Sequence, residues 1–226
     1  MAEPESRKVA LHMTVENKWR ELDRKLVAIL RGIDPGDVSE VVTQLLETGF
    51  RAIEIPLNSP DPFRSIESAV KAAEKHSPRA CLIGAGTVLS VDDVKAVRSS
   101  GGNLIVSPNT NEAVIEATIE NTMVSLPGVF TATEAHMALA KGASGLKFFP
   151  ASILGPKGIA AIKVILPADA GICAVGGIEP SDFPAYFASG VNGFGLGSCL
   201  YAPGKPLGDI IECARSAITV YDQHSR

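Results

Sequence analysis

The feature that most constrains this chain is a module that recurs from Leu26 onward. Each copy is a short apolar run, a turn marked by Gly or Pro, and then an amphipathic stretch. The apolar runs are Leu26–Leu30, Ala52–Leu57, Cys81–Ala85, Leu104–Ser107, Met123–Leu126, Gly145–Phe149, Ile172–Val175 and Gly193–Leu196. Helix-like stretches of about 10–15 residues separate them, the spacing that parallel βαβ units need. Pro35–Glu47 carries apolar residues at helical period and stops at Thr48-Gly49. Ser90–Ser100 opens on a Ser cap followed by Asp92 and Asp93. Thr110–Asn121, Thr133–Lys141, Pro156–Ile165, Pro180–Ser189 and Leu207–Tyr221 follow the same grammar. Eight modules predict an α/β protein folded as a compact (β/α)8 TIM barrel. A doubly wound open sheet is the alternative. The first turn, Arg31-Gly32-Ile33, has no GxGxxG, so nothing supports a dinucleotide site.

Residues 25–226 read as one barrel domain, with no linker or shift of composition inside it. Residues 1–24 read as a charged N-terminal extension. Thr14 to Lys25 fits a short helix with Trp19 and Leu22 on one side, or else a partly frayed tail. The extension lacks the apolar core of a secretory signal, so a cytoplasmic location is expected. The net charge of −4 implies no nucleic-acid partner and no anionic membrane surface. No apolar run approaches the roughly 18 residues a membrane span requires. Cys81, Cys173, Cys199 and Cys213 are far apart, sit in apolar surroundings and read as buried reduced thiols. The histidines His12, His76, His136 and His224 pair with no ligand at metal-binding spacing, so no metal is expected.

Barrel chemistry is built where the strands end, at the C-terminal face. Lys147 stands between Leu146 and Phe148 in an otherwise apolar strand. Desolvation there disfavours the ammonium and leaves an amine able to attack a ketone. The plainer reading is a lysine snorkelling from the strand end or tied to a carboxylate. Glu54 alternates with Ile53 and Ile55, which places it on the opposite face of its strand. A lysine and a carboxylate in one barrel mouth make a proton-shuttle and Schiff-base pair, or an internal ion pair. Arg31 ends the first strand and suits bidentate binding of a carboxylate, or is a surface arginine. Thr87 follows two glycines and offers a hydroxyl to the same acid, or caps the next helix. Pro108 walls the pocket, or simply turns the chain. Gly176-Gly177 and Gly197-Ser198 close strands seven and eight, where barrels commonly hold phosphate on backbone N–H groups. Two ordinary turns are the alternative.

These residues together resemble the small class I aldolases that cleave 2-keto-3-deoxy-6-phosphosugar acids. The resemblance runs from Leu26 to about Tyr221. It rests on Ile53-Glu54-Ile55, Ile83-Gly84-Ala85-Gly86-Thr87-Val88, Ser107-Pro108, Pro127-Gly128, Lys147-Phe148-Phe149-Pro150, Gly176-Gly177 and Gly197-Ser198. It implies that Lys147 forms the Schiff base and Glu54 moves protons. It further implies that Thr87, Pro108 and Phe149 shape the pyruvate half of the site, and that Gly177 and Ser198 hold the phosphate. It also implies a homotrimer that uses no cofactor. Gluconate-type members carry arginine where this chain has Asn58, and threonine where it has Val175. Galactonate-type members place their carboxylate-binding arginine at the position of Arg31. The expected substrate is therefore 2-dehydro-3-deoxy-6-phosphogalactonate, cleaved to pyruvate and D-glyceraldehyde 3-phosphate. Its gluconate epimer is the alternative, followed by a phosphosugar epimerase or isomerase, or a non-catalytic phosphosugar-binding barrel.

Overall fold

The computed structural model describes residues 18–76 and 81–225. The apolar runs form strands β1 (Leu26–Ile29), β2 (Ala52–Pro56), β3 (Leu82–Gly86), β4 (Leu104–Val106), β5 (Val124–Leu126), β6 (Gly128–Val129), β7 (Leu146–Phe148), β8 (Ile172–Val175) and β9 (Gly193–Leu196). Their spatial order is β5-β4-β3-β2-β1-β9-β8-β7-β6, and every neighbouring pair is parallel. The fifth apolar run does not stop at Leu126 as its sequence suggests. Pro127 has no N–H for the ladder, so the strand breaks there and resumes as β6. The β5 half pairs with β4 and the β6 half with β7, so one interrupted strand brings the ring of eight together.

Alternation along each strand separates two apolar layers. Leu26, Ala28, Ile53, Ile55, Ile83, Ala85 and Ile105 face outward, under the helices. Val27, Ile29, Ala52, Leu82, Leu104, Val106, Val124, Leu126, Cys173 and Val175 fill the lumen. Trp19 and Leu22 belong to the lumen cluster too, because the short segment just before β1 stops the bottom of the barrel. Residues 18–20 are helical and Trp19 is fully buried, so this part of the extension is not a frayed tail. A Cβ built on Gly145 would lie 3.0 Å from Trp19 Nε1, which shows how closely the indole fits the strand. Of the rest of the expected helix, residues 14–17 lie outside the described residues, and residues 21–25 form turn and irregular chain rather than helix, leading directly into β1.

The helices carry the caps their sequences encode. Ser90 Oγ accepts from Asp93 N–H and Asp93 returns a bond to Ser90 N–H, forming a capping box for Val91–Ser99. Thr131 and Glu134 repeat the device for Ala132–Ala140. The helix predicted from Pro156 starts earlier, at Ala151, and kinks at Gly155, whose φ of 69° breaks the helical path. The helix Pro62–His76 was not singled out by the sequence, although Phe63, Ile66, Ala69 and Ala73 recur at helical spacing. Its entry, Ser59-Pro60-Asp61-Pro62, looks like a turn alone. The thiols also need correction. None of the four forms a disulfide, but only Cys173 is buried, while Cys81, Cys199 and Cys213 are half-buried. Among the described residues no helix is long and apolar enough to cross a membrane, and no group of His, Cys, Asp and Glu forms a metal site.

Candidate active site

The C-terminal ends of the strands surround one cleft of about 690 Å³. Arg31, Glu54, Thr87, Pro108, Lys147, Phe149, Val175, Gly176, Gly177, Gly197 and Ser198 all line it. The residues singled out in the sequence thus come from seven strand ends to one place. Ile29, Ile178, Glu179, Asp182, Gly195 and Cys199 also line it and had not been named as site residues. Strand alternation would have found two of them, because Ile29 and Gly195 stand two residues before Arg31 and Gly197 on the same inward faces.

Lys147 sits on β7 and Glu54 on β2, with β1, β9 and β8 between them in the ring. Their charges act on each other across the lumen rather than along the sheet. Glu54 is 2% exposed and Lys147 6%, so neither head group is solvated as an isolated charge would be. Small neighbours provide the room. Glu54 pairs in register with Gly84, and Lys147 with Gly128. A Cβ on Gly86 would fall 1.9 Å from Glu54 Oε2, so only glycine fits there. That same Oε2 is buried without a hydrogen-bond partner.

Burial pushes the Glu54 carboxyl up to about 7, against the opposing pull of Lys147, Arg31 and a Gly86 backbone hydrogen bond. Burial likewise lowers the Lys147 ammonium, with Arg31 acting in the same direction and Glu54 against it. The pair therefore holds a carboxyl that exchanges its proton near neutrality and an amine freed from its proton more readily than a solvated lysine. The Phe149 ring stands 4.7 Å from Lys147 Nζ and shields it from water. Cys173 lies next to Lys147 in register, and burial raises its thiol to about 12, so it stays neutral beneath the amine.

The rim supplies the remaining groups. Arg31 is exposed and donates from Nη1 to Asn58 Oδ1 at 2.7 Å. Thr87 has a φ of 56°, the left-handed region that a β-branched residue rarely adopts. Strain of this kind is held by its surroundings and gathers at functional sites. Gly176 and Gly177 have φ values of 95° and 69°. A Cβ on the first would meet the Phe149 ring at 2.9 Å, and on the second Ser152 Oγ at 2.6 Å. Glycine thus leaves the backbone bare on this side of the cleft, and at Gly197 a Cβ would meet nothing.

The arrangement can form a covalent bond to a carbonyl, move a proton beside it, and hold anionic ends of a small molecule. Residues 15–205 match the family model described as KDPG and KHG aldolase. A probable 2-dehydro-3-deoxy-6-phosphogalactonate aldolase of Rhizobium meliloti (strain 1021) is 56% identical over 201 residues, covering 89% of this chain and 93% of that protein. The 2-dehydro-3-deoxy-6-phosphogalactonate aldolase of Escherichia coli (strain K12) is 42% identical, covering 87% and 94%. A solved structure described as native KDPGal superposes with a TM-score of 0.86 at 40% identity, covering 89% of this chain and 96% of that one.

Proposed function

This chain belongs to the KDPG and KHG aldolase family, a family of carbon–carbon lyases, and on that premise we propose that it cleaves 2-dehydro-3-deoxy-6-phosphogalactonate to pyruvate and D-glyceraldehyde 3-phosphate. The observation that carries the reading is the buried Lys147 amine facing the buried Glu54 carboxyl at the floor of one cleft. The two relatives that bear this substrate in their names support the choice of epimer. So does Val175 in the cleft wall, which offers no hydroxyl to the substrate.

Lys147 Nζ attacks the C2 ketone, and the carbinolamine loses water with Glu54 supplying the proton. The resulting iminium draws electrons. Glu54 then accepts the proton of the C4 hydroxyl, C4 becomes the aldehyde carbon, and the C3–C4 electron pair moves toward the iminium nitrogen to give an enamine. Protonation of C3 and hydrolysis by water return Lys147 and release pyruvate. A carboxyl that titrates near 7 gives up and takes back this proton at neutral pH with little cost in either direction. Arg31 receives the C1 carboxylate, Thr87 and Pro108 bound the pyruvate half, and the Gly176-Gly177 and Gly197-Ser198 turns receive the phosphate. The covalent lysine is the electron sink, so the proposal includes neither a metal nor an organic cofactor.

We also place the enzyme in the cytoplasm as a homotrimer. Leu89, Phe130 and Ile153 follow β3, β6 and β7 and expose large apolar side chains on the C-terminal rim, a surface suited to subunit contact. Sedimentation at three times the chain mass is the expected result, and a monomer refutes the assembly. The activity is tested by borohydride reduction in the presence of pyruvate. A stable adduct on the peptide that holds Lys147 is expected, and its absence removes the mechanism. Parallel assays of pyruvate release from the two phosphorylated epimers test the substrate, with faster turnover of the galactonate form expected.

A further inference from the structure

Asn58 does not line the cleft, yet its side chain decides where a cleft residue points. Arg31 reaches the cleft from the turn after β1 and is exposed there. A free arginine side chain has about 2 kcal/mol of rotamer freedom to lose when it grips a ligand. Here part of that loss precedes binding, because Nη1 already donates to Asn58 Oδ1 at 2.7 Å. The backbone beneath is held as well. Gly32 N–H donates to Ser59 Oγ at 2.9 Å, and Ser59 is itself buried with its N–H on the Pro56 carbonyl at 2.9 Å. On the far side, the Gly32 Cβ position lies 3.0 Å from the Pro203 ring. The Arg31 turn is therefore clamped between the loop after β2 and the loop after β9.

The chemistry of residue 58 fits this task. The amide oxygen occupies one of five guanidinium N–H donors and leaves the rest for a ligand. It is also neutral, so the full positive charge stays available to an anion. A carboxylate in the same place would form an ion pair and compete with the ligand it is meant to help bind. We propose that Asn58 is a positioning residue that fixes the Arg31 guanidinium as a clamp for the substrate carboxylate. The inference rests on the reading of Arg31 as that clamp.

The test is a double-mutant cycle on the full chain with 2-dehydro-3-deoxy-6-phosphogalactonate. Arg31→Ala is expected to raise KM about 10- to 100-fold, as loss of a charge-assisted pair does. Asn58→Ala is expected to raise KM about three- to tenfold with kcat nearly unchanged. In the Arg31→Ala background, Asn58→Ala is expected to add nothing, because a positioning residue has nothing left to position. Asn58→Asp is expected to raise KM at least as far as Asn58→Ala, since it keeps the acceptor but neutralises the clamp. An Arg31→Ala variant with unchanged KM refutes the clamp itself. A raised KM for Arg31→Ala with none for Asn58→Ala, or an Asn58→Ala effect that persists without Arg31, overturns the role of Asn58 alone.

Discussion

At the scale of single residues, the site depends on how a charge behaves when water is withheld. Glu54 titrates far above its usual range in the folded chain, while in the unfolded chain it returns to about 4.5. Between those values the folded state binds the extra proton, so stability falls as pH rises from about 4.5 to about 7. Lys147 has the opposite sign: its folded pKa is lowered, so its burial penalty is largest at low pH and fades as the amine deprotonates. Glu54→Gln keeps the shape and removes the ionisation. It should cut kcat by about 100-fold or more, as loss of a general acid–base group does. It should also raise the melting temperature at pH 8 more than at pH 5. The gain above pH 7 is on the order of 3 kcal/mol. Thermal melts at the two pH values, beside pyruvate-release assays, check both parts. An equal melting shift at both pH values refutes the ionisation argument.

At the scale of elements, turns do what strands cannot. The strands deliver Glu54 and Lys147 inward by alternation alone, but the side of the cleft proposed to receive the phosphate depends on backbone conformations only glycine adopts easily. Gly177 combines a φ of 69° with a Cβ position 2.6 Å from Ser152 Oγ. Gly177→Ala must move the turn, the serine or both. Its expected effect is a rise of about tenfold in KM for the phosphorylated substrate, with borohydride trapping of pyruvate unchanged, because pyruvate lacks the phosphate. Loss of trapping as well would mean that the turn supports the lysine rather than the anion. The helices act at this scale through their caps. The Ser90 and Thr131 capping boxes start helices next to the β3 and β6 ends, and so fix where those loops leave the barrel.

At the scale of the whole molecule, the barrel is open at one end for chemistry and stopped at the other. Trp19 plugs the bottom, and Arg20 and Arg24 pair with Asp169 at 2.9 Å and Asp222 at 2.6 Å on the surrounding wall. Those pairs are exposed to solvent, which screens them, so they add little to the anchoring. The indole carries most of the anchoring. Trp19→Ala should destabilise the fold by about 3–5 kcal/mol while leaving kcat at low temperature nearly intact, since the cleft lies at the other end. Denaturant unfolding with parallel assays checks this, and a proportionate loss of kcat would show that the plug couples to the site.

Much of this protein is already determined by its sequence. Runs with a period of two and stretches at helical period impose strands and helices because side-chain direction follows backbone geometry over a few residues. That local rule suffices for the eight-module barrel, for the inward faces of Glu54 and Lys147, and for the Ser90 cap. It does not reach further. The break at Pro127 becomes part of ring closure only because β4 and β7 stand on either side of it. The helix Pro62–His76 hides behind a proline-rich entry that reads as a turn until packing against β2 and β3 decides otherwise. Trp19 becomes a plug, and Asn58 an anchor for Arg31, only when distant segments converge. Proton affinities at the centre were decided last, since removal of water from Glu54 and Lys147 needs the whole wall of the barrel in place.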